Sequence, residues 1–137
     1  MKVILDTNIW ISFLIGHQTQ LIRKILSDVR LDVYVCDSLI AEIKDVAGRD
    51  KIRKYINSSD VEDLMAIIYA FCQFTVIQQE SESDIRDPKD LYLLSLAETI
   101  GADFIVSGDN DLTDLKQHMG TKMIKLADFK SMSKPSF

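Results

Sequence analysis

Four acidic residues, Asp6, Glu42, Asp90 and Asp109, fall just after or just beyond the points where β-strands should end. Asp6 follows the apolar run Val3-Ile4-Leu5. Glu42 lies on the helix expected after a second strand, Asp90 opens the helix after a third, and Asp109 follows a fourth. In open α/β sheets the working site lies outside the carboxyl ends of the strands. Carboxylates gathered there repel one another and need protons or a cation to stay together. Ligand sets made only of oxygen suit Mg²⁺ or Mn²⁺. An ion held in this way can bind a phosphodiester, lower the pKa of a water and stabilise a leaving oxygen. Taken singly, each residue has a plainer reading. Asp6 is a common turn residue, Glu42 a solvated charge, Asp90 a helix-start carboxylate paired with Asp87, and Asp109 part of a Gly-Asp-Asn turn. Only their joint placement points to chemistry.

The elements that must position them alternate strand and helix. The run Lys2 to Leu5 is apolar enough for a strand buried on both faces. An apolar helical stretch follows from Ile9 and stops at Gly16. A helix fits Thr19 to Val29, with Leu21, Ile22, Ile25 and Leu26 on one face. Val33 to Cys36 is a second strand, and Asp37 or Ser38 caps the next helix, which Gly48 closes. Asn57 to Asp60 is a turn and N-cap cluster before the long periodic stretch Val61 to Cys72. A third strand is expected at Phe74 to Ile77 and a polar loop from Gln78 to Asp87. Pro88 suits a first helical position, with Asp87 as N-cap, and the helix runs from Pro88 to Ile100 with Gly101 at its end. Asp103 to Ser107 is a fourth strand, Leu112 to Lys116 a short helix and Lys122 to Lys125 a fifth, edge strand. The chain from Ala127 onward reads as weakly structured. Alternating strands and helices specify an α/β sandwich around a mainly parallel sheet. One domain is expected over residues 1–130, with a C-terminal tail at 131–137.

Composition narrows the class. Apolar residues make up 47% and charged residues 27% of the chain, ordinary values for a globular domain. A net charge of −5 argues against bulk attraction to nucleic acid but leaves room for contact with phosphate through a metal. Cys36 and Cys72 stand in apolar surroundings without metal-ligand spacing and read as reduced core residues. No stretch approaches the roughly 18 apolar residues of a membrane span, so a cytoplasmic location is expected. His17 and His118 are isolated and read as surface or satisfied core residues. The basic stretch Lys44, Arg49, Lys51, Arg53 and Lys54 is the best candidate for gripping a nucleic-acid backbone, against the plainer reading of a solvated face. Trp10 could stack a base, but its helix makes packing the simpler role.

The segments Ile4-Leu5-Asp6-Thr7-Asn8, Glu42, Asp87-Pro88-Lys89-Asp90 and Gly101 to Leu112 together resemble the PIN-domain nucleases. The branch they resemble includes the bacterial and archaeal PIN proteins described as toxins of toxin–antitoxin pairs. The similarity runs to about Lys125. It implies a three-layer α/β/α fold with a parallel sheet of four or five strands in the order 3-2-1-4-5. It also implies a metal-dependent ribonuclease whose catalytic set is Asp6, Glu42, Asp90 and Asp109. By this resemblance Asp6, Asp90 and Asp109 would hold Mg²⁺ or Mn²⁺, and Asp111 would lie near the metal. Thr7, Asn8 and Ser107 would brace the site by hydrogen bonds. Leu91 stands where many members of the branch carry another acidic or amide residue, which removes one outer ligand.

The implied partners are an RNA substrate and an antitoxin protein, with a homodimer as the assembly and no membrane. Ile9, Ile11, Phe13, Leu14 and the helix from Val61 to Cys72 carry more apolar surface than one small sheet should need. That surplus suits a dimer contact or a groove for an antitoxin peptide. Three rival readings fit the residues less well. A haloacid-dehalogenase-like phosphatase wants a second Asp at position 8, where Asn8 stands. A receiver-type signalling domain fits the Asp109 turn poorly. A PIN-like module retained only for RNA or protein binding would be favoured by loss of an acidic position, and none of the four is lost.

Overall fold

The computed structural model describes residues 1–81 and 88–133, and the side chains of all of these except 88, 89, 132 and 133. Strand β1 (Lys2–Leu5) leads into α1 (Thr7–Ile15) and α2 (Thr19–Leu26). Strand β2 (Asp32–Val35) is followed by α3 (Asp37–Ala47), the single turn α4 (Asp50–Arg53) and the long α5 (Ser58–Phe71). Then come β3 (Gln73–Phe74), α6 (Pro88–Ile100), β4 (Phe104–Val106), the short α7 (Asn110–Thr113), the hairpin of β5 (Gln117–His118) and β6 (Thr121–Ile124), and α8 (Leu126–Ser133). The sheet runs in the order β3-β2-β1-β4-β6-β5 and is flanked by helices; every pairing is parallel except that of β5 with β6. The expected order 3-2-1-4-5 is therefore present, with β6 as the expected fifth strand. The two-residue β5 adds an antiparallel edge.

Val3, Ile4, Leu5, Val33, Val35, Ile105 and Val106 are all buried, which is why these strands read as unbroken apolar runs. The β1–β4 register pairs Leu5 with Val106 and so sets Asp6 beside Ser107. Helix α5 starts with a capping box, Asn57 accepting from the Asp60 amide while Asp60 accepts from the Asn57 amide. Gly101 ends α6 with φ +66°, a left-handed conformation that a side chain would strain.

Several expectations need correction. Helix α1 begins at Thr7, directly behind Asp6, because the Asp6 side chain caps it. Strand β3 covers Gln73–Phe74 rather than Phe74 to Ile77. Beyond it the chain straps along α6, with the Gln78 amide donating to Thr99 Oγ1 at 3.2 Å and the Ser81 amide to Ser95 Oγ at 2.8 Å. Side-chain acceptors on a helix thus replace the sheet ladder. The chain from Leu126 is a helix, α8, anchored by the fully buried Phe129. Ile9, Ile11, Phe13 and Leu14 lie in the core, so α1 offers no surplus apolar face. Trp10 is wholly buried and its indole N–H donates to the Leu5 carbonyl at 3.0 Å, which removes it as a base-stacking residue. Exposed apolar surface gathers instead at the β3 edge, on Tyr69, Phe71, Phe74 and Val76. The Tyr69 and Phe74 rings stack there, 5.0 Å apart.

Both cysteines are free and buried. Burial pushes the Cys72 thiol up to about 12, and it raises the Cys36 thiol as well. Asp87, expected as the N-cap of α6, lies outside the described residues.

Candidate metal centre

Parallel β1 ends in a residue that must turn the chain into α1. Asp6 does so as N-cap, its Oδ1 accepting from the Thr7 amide at 2.7 Å. Its Oδ2 accepts from Ser107 Oγ at 2.7 Å, across 101 residues of chain. Ser107 is wholly buried, and its hydroxyl oxygen also accepts from the Asp109 amide at 2.9 Å. One hydroxyl therefore links the ends of β1 and β4. Asp109 in turn caps α7, with Oδ1 accepting from the Asp111 amide at 2.9 Å. That bond folds Asp109 and Asp111 to the same side of the turn.

Asp90 arrives from the first turn of α6 and is buried, at 3% exposure. One carboxylate oxygen from each of Asp90, Asp109 and Asp111 lies within 4.8 Å of the others. This is the tightest acidic group among the described residues. It includes Asp111, expected only as a neighbour of the metal, whereas Asp6 stands outside it, joined through Ser107. Glu42 reaches the centre from α3, its carboxylate accepting from the Tyr92 hydroxyl of α6 at 2.5 Å. Thr7 is buried beside the same phenol, and Asn8 is exposed on the first turn of α1.

The acidic surroundings act on Asp6 and on Tyr92. Asp6 has its carboxyl raised above the ordinary 3.8, first by burial and further by the Glu42 and Asp109 carboxylates; the bonds from Ser107 and Thr7 pull the other way. Tyr92 is pushed well above the usual phenol range, first by burial and then by the Glu42 carboxylate, so it stays a protonated donor. A carboxyl raised on folding makes the folded state bind more protons between the unfolded and the folded pKa. Stability from Asp6 is therefore greatest below the unfolded value and falls as pH rises through the raised one. Ser107→Ala removes a donor to the charged form. We expect it to lower the stability of the metal-free protein by about 1–3 kcal/mol near neutral pH, and by less at an acid pH below the raised value of Asp6. Urea unfolding in EDTA at the two pH values measures this.

The donor set fits a hard divalent cation. All its members are carboxylates, they converge from α6 and from the turn into α7, and their mutual repulsion is what a bound cation would relieve. Tyr92 was not legible as part of this centre. It reads as one more apolar position among Leu91, Leu93 and Leu94, and the sole hint is that a tyrosine hydroxyl in a packed helix needs a partner.

The other candidates fall elsewhere. His118 lies within hydrogen-bond distance of Glu98 (3.1 Å) and Ser81 (3.3 Å), which ties the β5 hairpin to α6 and its strap. Lys44 and Arg53 line a cleft of about 270 Å³ with Asn57, Ser58 and Val61, and no acidic residue of the centre lines it. Arg49 pairs with Asp45 at 3.1 Å on an exposed surface.

The family model described as PIN domain matches residues 2–111. Among solved structures, the chain is similar to VapBC2 from Rickettsia felis bound to a DNA fragment from their promoter, at 13% identity and a TM-score of 0.60, covering 91% of this chain and 98% of that one. It is also similar to the RRP44 PIN domain of T. brucei, at 13% identity and a TM-score of 0.49, covering 98% of this chain and 81% of that one. No curated protein matches the sequence significantly.

Proposed function

Because the chain belongs to the PIN-domain family of nucleases, we propose that it is a Mg²⁺- or Mn²⁺-dependent endoribonuclease and the toxin of a type II toxin–antitoxin pair. The observation that carries this reading is the convergence of Asp90, Asp109 and Asp111 within 4.8 Å, with Asp6 hydrogen-bonded into the same cluster through Ser107. The catalytic set is Asp6, Glu42, Asp90 and Asp109, with Asp111 as a further ligand. A bound divalent ion supplies charge neutralisation at the scissile phosphate and a water activated for in-line attack. Asp90, Asp109 and Asp111 offer the oxygens that hold it, and Asp6 completes the charge on the β1 side. Ser107 fixes the spacing between Asp6 and the Asp109 turn. Glu42 would orient a water at the edge of the centre. No Ser or Cys nucleophile is required, and the products are a 5′-phosphate and a 3′-hydroxyl.

The antitoxin is proposed by analogy with the VapBC2 assembly. A homodimer is proposed on the β3 edge, where Tyr69, Phe71, Phe74 and Val76 are exposed together. Among the described residues no helix is long and apolar enough to cross a membrane, and a cytoplasmic location is part of the same proposal.

Single-stranded RNAs incubated with the purified protein and Mn²⁺ test the reading. We expect cleavage that EDTA abolishes and that Asp6→Asn reduces severely. Cleavage equal in the Asp6→Asn protein would point to another site or a contaminant. No cleavage of any RNA, with Mn²⁺ shown to bind, would favour a PIN-like binding module.

A further inference from the structure

Glu42 sits in the second turn of α3, which starts from the carboxyl end of β2, and its side chain is half-buried with three torsions to fix. The carboxylates of the centre repel it. Left to itself, such a side chain gains entropy and loses repulsion by swinging to solvent. The Tyr92 hydroxyl is a neutral donor that reaches Glu42 from α6, 50 residues away, and lies close enough to Thr7 and Asp6 to feel both. Its own helix brings Asp90 into the centre two residues earlier.

We propose that Tyr92 is a positioning residue which pins Glu42 at the edge of the Asp90–Asp109–Asp111 group through its phenol hydroxyl. The proposal rests on the nuclease reading above for its catalytic consequence, and on the Tyr92–Glu42 bond alone for its structural one. Tyr92 acts through Glu42 and has no contact of its own with the reacting phosphate. Phe at this position keeps the packing of the ring and removes only the donor.

A double-mutant cycle over Tyr92→Phe and Glu42→Ala tests this with two readouts. In EDTA, urea unfolding should show Tyr92→Phe raising the unfolding constant about tenfold in the parent and less than about twofold in the Glu42→Ala background, as expected for a bond to a charged acceptor. With Mn²⁺ and RNA, Tyr92→Phe should lower kcat by about tenfold or more with KM within about twofold. The double variant should cleave no more slowly than Glu42→Ala. Additive effects in either readout overturn the proposal, as does coupling in unfolding without any loss in kcat, which would make the bond purely structural. If the parent cleaves no RNA, the nuclease reading fails, and the unfolding cycle still decides whether Tyr92 holds Glu42.

Discussion

Asp90→Asn should abolish most divalent-dependent cleavage while making the metal-free protein more stable. The two effects share one cause. Asp90 is buried and lies within 4.8 Å of both the Asp109 and Asp111 carboxylates. At an effective dielectric of about 20, each pair at that distance repels by about 3 kcal/mol. Solvent at the exposed Asp111 reduces its share. One opposing benefit, a negative charge in the first turn of α6, is worth about 0.3–1 kcal/mol and at most about 2, and the other interactions of Asp90 act beside it. Repulsion wins, so the neutral amide should raise the melting temperature in EDTA by several degrees, roughly 3–4 °C per kcal/mol at this chain length. The same change removes a ligand oxygen of high charge. Even outer partners of metal ligands are worth about 10–100-fold, so the cleavage rate should fall by at least about a hundredfold. Calorimetry in EDTA and a Mn²⁺-dependent cleavage assay check the two signs. A variant that loses stability as well as activity would show that Asp90 serves the fold and not an ion site.

Trp10→Ala should come close to unfolding the protein. The indole is wholly buried at the junction of α1 with the sheet, and its N–H holds the Leu5 carbonyl, the peptide group immediately before Asp6. Truncating a buried aromatic of this size costs about 3–5 kcal/mol, a large part of the 5–15 kcal/mol that holds a domain of this kind together. Trp10→Phe keeps most of the packing and forfeits the bond, at about 1–3 kcal/mol. Urea titration followed by circular dichroism measures both. A loss below about 1 kcal/mol for the alanine variant would mean that α1 is not anchored as described. Trp10 is the chain's single tryptophan, so in every other variant its fluorescence reports unfolding from a point next to the centre.

How much of this was readable from the residues follows from what each element depends on. Asp6 was legible because a doubly buried strand leaves an unbroken apolar run, and a carboxylate at its end is conspicuous. Helix α6 was legible from Pro88 and Gly101, whose backbone preferences act locally. β3 was displaced because Val76 and Ile77 have strand-forming side chains, yet the backbone just beyond them, at Gln78 and Ser81, finds its partners on α6, and no local preference encodes that choice. Helix α8 was missed because among the described side chains only Phe129 is wholly buried and Leu126 partly so, too sparse a pattern to read as a helix face. The grouping of Asp111 with Asp90 and Asp109 depends on the Asp109 side chain bonding back to the Asp111 amide, a turn geometry that residue types alone leave open. Tyr92 was invisible because its meaning lies in Glu42, on another helix.

The order of synthesis has a consequence of its own. Asp6 belongs to the first strand made, yet the hydroxyl that aligns it and the carboxylates that gather near it belong to residues 90–111. A ribosome that stalls or terminates early thus releases a polypeptide holding two of the acidic groups and none of the converging three. The converging three therefore meet only after the chain through Asp111 has been made, an order of assembly imposed by chain connectivity alone.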